Sequence, residues 1–307
     1  MPNKFHSNGK LLLTGEYVVL DGAKALAVPT KFGQSMEVSR GKSSSISWKS
    51  LNEKDEIWFQ DELYLLENGQ FRSEQNNEVS NSLKNILQEA FLLNPNFFNG
   101  KIGVDITTKL EFPQNWGLGS SSTLISNIAE WLKIDAYKVL ENTFGGSGYD
   151  LACAKANAPI SYQLTTSGRQ VRNQNFDPSF KTNLFFVHLK RKQNSRDAIA
   201  HYRQQNKQQL SEAVRVVSQI TDELLRCKSL ADFENLMDEH EKIISSVIQI
   251  PPIKKQLFPD FSRSLKSLGG WGGDFILATG GKSEQEYFIK KGFHTILGYD
   301  EMVKFES

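Results

Sequence analysis

From Pro113 to Ser122 the chain reads Pro-Gln-Asn-Trp-Gly-Leu-Gly-Ser-Ser-Ser. Upstream, Ile102, Val104, Ile106, Thr108 and Leu110 alternate with Gly103, Asp105, Thr107 and Lys109, the period-2 pattern of a half-buried strand over 101–110. Downstream, Thr123 to Leu132 is apolar at helical spacing. The order is therefore strand, short loop, helix. Gly117 and Gly119 permit backbone turns that a side chain would obstruct, so several N–H groups can converge on one small anion. Serines open the helix, where unsatisfied N–H groups and the positive dipole end also favour phosphate. The loop alone fits either a nucleotide-phosphate seat or a plain helix cap. Two familiar phosphate loops do not fit. A P-loop ends in Gly-Lys-Ser/Thr, and no lysine follows Gly119. A dinucleotide loop wants a third glycine where Ser122 stands and an acidic residue about 20 positions on.

A chain of 307 residues suits two domains or one large one. Its 36 basic and 35 acidic residues leave a net charge of +1, so no global field recruits nucleic acid or a membrane surface. The expected partner is a small molecule, with the protein a monomer or homodimer. Cys153 and Cys227 lack metal-type spacing, and there is no secretory signal or bilayer-length apolar run. These features predict a cytoplasmic protein with reduced thiols.

Leu11–Leu13 and Tyr17–Leu20 predict a strand, a turn at Gly15 and a second short element ending at Asp21 and Gly22. Ser35–Val38, Ser45–Trp48 and Ile57–Phe59 read as short strands. Val79–Leu93 is apolar at helical spacing and stops at Asn94 and Pro95; Asp135–Asn142 predicts another helix. Glycines from Gly145 to Gly148 lead into a small-residue helix from Leu151, for which Asp150 is either an N-cap or a functional carboxylate. Strands are expected over Ile160–Leu164, Gln170–Phe176 and Asn183–Leu189, with a boundary at Asp177 and Pro178. The run from Lys190 to Arg196 is either a solvated face or an anion contact. Two long helices are expected over Asp197–Cys227 and Leu230–Gln249, the second stopped by Pro251 and Pro252. A third glycine cluster, Leu268–Gly273, precedes a strand to Ala278. Then come a helix over Ser283–Lys291 and a strand over Thr295–Leu297. His240 reads as a helix-face histidine, and the other histidines form no metal pattern.

Three of these segments resemble the GHMP kinases, the superfamily of galactokinase, homoserine kinase, mevalonate kinase and phosphomevalonate kinase. Pro113 to Ser121 matches Pro-x-x-x-Gly-Leu-Gly-Ser-Ser without a gap. Gly9-Lys10 through Gly15-Glu16-Tyr17-Val18-Val19-Leu20 resembles the first family motif, closest to the phosphomevalonate kinase branch, with Asn8 where proline is common. Gly146-Ser147-Gly148-Tyr149-Asp150 matches Gly-Ser-Gly-x-Asp, and its continuation is close to a bacterial subgroup marked by Gly-Tyr-Asp-Ile-Ala. The resemblance implies an α+β, two-domain fold: an N-terminal domain like ribosomal protein S5 over residues 1–177 and a ferredoxin-like C-terminal domain over 178–307. It implies a kinase using ATP and Mg2+, phosphorylating mevalonate or phosphomevalonate. A sugar or amino-alcohol acceptor, or a nucleotide or metabolite sensor on the same fold, are the alternatives.

By the same resemblance, Asp150 is the general base and Lys10 the cation at the reacting hydroxyl. Gly117, Leu118, Gly119, Ser120, Ser121 and Ser122 hold the nucleotide. Ser121 and Glu141 hold the metal, with Glu130 as the substitute for Glu141. Glu16, Gly146, Ser147, Gly148, Ser195, Arg196 and Gly272 face the acceptor, with Lys190 and Lys192 as further candidates if it is phosphorylated. Trp271 and Asp274 stand where the family's third loop has small residues. The first is bulky enough to narrow the pocket, and the second is an awkward neighbour for a triphosphate.

Overall fold

The computed structural model describes residues 2–98, 103–191, 202–204, 207–271 and 273–306. The chain divides into two compact units, one of Met1–Gly9, Phe32–Gln114 and Leu118–Lys155, the other of Lys10–Lys31, Asn115–Gly117 and Ala156–Ser307. The cut expected at 177–178 does not coincide with this division. The chain passes between the units several times, and the second takes in the segment after Lys10 as well as everything from Ala156.

In the first unit, strand β1 (Asn3–Leu12) begins and strand β2 (Ala25–Arg40) ends. Strands β3 (Ile46–Leu51), β4 (Ile57–Leu65), β5 (Phe71–Ser73) and β6 (Val104–Leu110) complete a sheet in the order β5, β4, β3, β6, β2. Only β3 and β6 run parallel among these neighbours; helix α1 (Glu78–Leu93) lies in the chain between them. Asn77 starts α1 by accepting the Ser80 N–H at 2.9 Å, satisfying one of the donors a helix leaves open. Period-2 alternation turns Met36, Val38, Ile46, Trp48 and Ile106 to one face. There they pack with Leu83, Ile86, Leu87 and Ala90 of α1 and with Ile125, Ile128 and Leu132 of helix α2 (Ser120–Leu132). Helices α3 (Ala136–Thr143) and α4 (Tyr149–Ala154) follow.

In the second unit, Ala25–Ala27 of β2 pair with β7 (Ile160–Thr165), and β7 pairs with β8 (Gly168–Asn173). A four-stranded antiparallel sheet contains β9 (Leu184–His188), β10 (Leu265–Ser267), β11 (Phe275–Thr279) and β12 (Ile296–Gly298), in the order β10, β11, β9, β12. Helices α5 (Lys207–Arg226), α6 (Leu230–Ile248) and α7 (Ile253–Leu257) separate β9 from β10, and α8 (Lys282–Lys290) separates β11 from β12. This is the expected ferredoxin-like order. A last turn, α9 (Tyr299–Met302), leads to a bridge between Val303 and Thr30. Helix α5 turns Ala213, Val217, Ile220 and Leu224 inward, at the spacing of one helical face. Trp271, expected to narrow a pocket, is instead 3% exposed. It lies in a core with Tyr17, Val18, Val217 and Ile244, and its Nε1–H donates to the Pro251 carbonyl at 3.3 Å.

Candidate phosphoryl-transfer site

In the first unit, α2 begins at Gly119, a left-handed residue with φ 88°. No side chain caps this end, so the first-turn N–H groups at Ser120, Ser121 and Ser122 keep the dipole's positive end available to an anion. Ser121 is exposed and Ser122 buried. Helix α4 begins at Gly148, again left-handed, which places Asp150 inside the first turn. Asp150 is therefore not the N-cap of this helix, which is Gly148. Its Oδ2 accepts from the Ser122 hydroxyl at 3.2 Å. Its Oδ1 is buried and has no hydrogen-bond partner among the described residues. A buried carboxylate oxygen left open in this way costs stability, and a ligand that donates to it recovers the loss. Ser147 is buried, and its hydroxyl accepts the Tyr149 N–H at 3.4 Å. A side chain on Gly146 would point into open space.

The expected metal glutamates lie on different helices. Glu130 is ion-paired with Lys155, whose ammonium also donates to the His6 carbonyl at 3.0 Å. Glu141 is exposed on α3. Among the described residues no group of three or more His, Cys, Asp or Glu is placed to hold a metal ion.

In the second unit, Lys10, half-buried in β1, donates from Nζ to the Gly117 carbonyl at 3.2 Å. Gly117 has φ 63°, and a Cβ built on it would overlap the Asp274 carboxylate. His188 donates through Nε2–H to the Asn115 carbonyl at 2.9 Å. Trp116 meets Phe275 edge-on, ring centroids 5.4 Å apart. Sequence reasoning singled out Lys10 but gave His188 no role, because a lone histidine closing an apolar strand carries no motif. Lys190 donates to the Gly292 carbonyl at 3.3 Å. Lys192, Ser195, Arg196 and Gly272 lie outside the described residues.

Glu16, expected at the acceptor, is instead fully buried in the second unit and ion-paired with Lys266, itself only 1% exposed. His240, on a face of α6, is likewise buried. Its Nε2 accepts the Gly15 N–H at 2.9 Å, so the proton of the neutral ring is on Nδ1. Burial and the Lys266 charge push its pKa well below the usual histidine range. The 3.3 Å approach of His240 Nε2 to Glu16 is therefore not an ion pair. Glu241 accepts the Ser267 N–H at 2.8 Å, and burial foremost raises its pKa to about 7. This cluster fixes the Gly15–Glu16 turn that follows the Lys10 strand.

Solved structures match this architecture over almost the whole chain. The mevalonate kinase of Methanococcus jannaschii is 15% identical, with a TM-score of 0.67, covering 100% of this chain and 99% of that one. The Streptococcus pneumoniae phosphomevalonate kinase, solved with phosphomevalonate and AMPPNP, is 17% identical, with a TM-score of 0.70 and coverage of 96% and 99%. The Lactococcus lactis galactokinase, solved with galactose, is 11% identical, with a TM-score of 0.66 and coverage of 100% and 94%. The fold is that of the GHMP kinases. No protein-family model matches the chain, and no curated protein matches it in sequence. The similarity to these structures is thus one of fold, at low sequence identity. No helix among the described residues is long and apolar enough to cross a membrane.

Proposed function

We propose that this protein is a cytoplasmic small-molecule kinase that transfers the γ-phosphoryl group of MgATP to mevalonate or phosphomevalonate. The observation that carries the reading is Asp150, one carboxylate oxygen on the Ser122 hydroxyl and the other buried and open. The GHMP fold and the AMPPNP bound to one structural neighbour support a nucleotide co-substrate.

In this reading the N–H groups from Gly117 to Ser122 hold the phosphates. With an alcohol acceptor, Asp150 takes the hydroxyl proton as the acceptor oxygen bonds to the γ-phosphorus and the bond to the β,γ-bridging oxygen breaks. Lys10 stabilises the charge that develops on the transferring group. With a phosphate acceptor the attacking oxygen is already ionised, and Asp150 orients rather than deprotonates. Mg2+ brought with ATP would draw on Ser121 and Asp150, with Glu141 as a further ligand, and supplies neutralisation of the β- and γ-phosphate charge.

The test is ADP release with MgATP against mevalonate, phosphomevalonate, homoserine and galactose, with Asp150→Asn alongside. The expected result is transfer to mevalonate or phosphomevalonate, lowered about 10²–10⁴-fold in kcat in the variant, with ATP binding retained. Full activity in the variant removes Asp150 from the mechanism. One observation favours a second reading: the Asp274 carboxylate packed on Gly117 of the phosphate loop suits a protein that binds nucleotide without turning it over. Tight ATP binding with no transfer to any acceptor would select that sensor.

A further inference from the structure

Three consecutive loop residues meet the ends of two adjacent strands in the second unit. Asn115 accepts from His188 at 2.9 Å. Trp116 meets the Phe275 ring at an interplanar angle of 90° and lies 6.2 Å from the His188 ring. Gly117 lies so close to Asp274 that a side chain on it would force the Asp274 carboxylate to move. The strand residues making these contacts are themselves locked together. His188 and Phe275 are direct partners in the β9–β11 ladder, their rings 5.0 Å apart. The Leu189 N–H donates to the Asp274 carbonyl at 2.8 Å. His188 is 2% exposed, and burial foremost holds its pKa below the usual histidine range. The donor to Asn115 is thus a neutral N–H that adds no charge beside a phosphate site.

We infer that the adjoining ends of β9 and β11 are a template that shapes the phosphate loop, with His188 as a positioning residue acting through the Asn115 carbonyl. The inference rests on the kinase reading for what the loop binds. A loop with two left-handed glycines samples many conformations when free. Ordering it before the nucleotide arrives removes that cost from binding. The third glycine cluster then acts on the loop through Asp274 and Phe275, which accounts for an aspartate where small residues were expected.

The experiment compares wild type with His188→Phe, which keeps a ring but removes the donor, and His188→Gln, which restores an N–H. Readouts are the Kd of MgATP by equilibrium dialysis, and KM and kcat for transfer. His188→Phe is expected to raise the Kd and KM for MgATP about tenfold, the size of one lost hydrogen bond. The acceptor KM and kcat should change less than threefold by the same measure. His188→Gln should return MgATP affinity close to wild type. Trp116→Ala, which removes the second contact, should weaken MgATP without weakening the acceptor. Wild-type MgATP affinity in His188→Phe, or equal loss in the Phe and Gln variants, overturns the template. Nucleotide binding without transfer in wild type counts against the kinase reading alone, since the Kd comparison still decides the template.

Discussion

Glu241 titrates where most glutamates have long been ionised. Its pKa of about 7 compares with an ordinary value of 4.5, so between those limits the folded protein holds a proton that the unfolded chain has released. A raised acid of this kind makes stability fall as pH rises from about 4.5 through 7 and level off above, by up to about 3 kcal/mol. Glu16, also raised by burial, acts in the same direction. His240 and His188, both lowered by burial, oppose this trend below about 6.5, so the test is a difference: in thermal melts from pH 5 to 8, the Tm of wild type minus that of Glu241→Gln should fall as pH rises. Equal slopes would mean that Glu241 ionises freely in the fold. Residues of this kind were the hardest to read from sequence. Lys10 and Asp150 stand in recognisable strings, whereas the ion pair of Glu16 with Lys266 spans most of the chain and neither residue announces a partner. For His240, a helical repeat shows which face the residue occupies but not that the Gly15 N–H awaits it there.

Among the elements, helices with a clean apolar stripe were read to within a few residues: α1, α2, α3 and α6 begin and end close to their expected bounds. Their stability belongs to that stripe. Leu224→Ala on the buried face of α5 should cost about 2–5 kcal/mol, while Glu223→Ala beside it, exposed, should stay within about 0.5 kcal/mol. Urea unfolding of the two variants checks this, and equal costs would deny that the stripe carries the helix. Short elements escaped notice, since three residues in β5 or β10 show no period. The first half of β1 was missed for a different reason. Phe5 is its lone apolar residue, and inward-facing Ser7 donates to Asn127 at 2.7 Å inside the unit. Hydrogen bonding there replaces the apolar signal on which strand prediction depends.

For the molecule as a whole, a linear cut at 177–178 was the natural reading of a chain with two kinds of element pattern. The grouping of Lys10–Lys31 with Ala156–Ser307 differs from that cut. A fragment of residues 178–307 would lack Tyr17 and Val18, which share a core with Val217, Ile244 and Trp271. It should therefore show helical far-UV circular dichroism but weak near-UV signal and dye binding, the signs of lost side-chain packing. A cooperative melt of that fragment would show that the linear cut was sound. The closing bridge between Thr30 and Val303, reinforced by the Lys304 N–H on the Pro29 carbonyl at 2.8 Å, bears on synthesis. Every segment of the first unit has been translated by Lys155, so its core can condense while the ribosome is still working. The Thr30 segment must wait for Val303, translated long after β6 and β7 have become available to the rest of β2, so this clasp is among the last contacts the chain can complete.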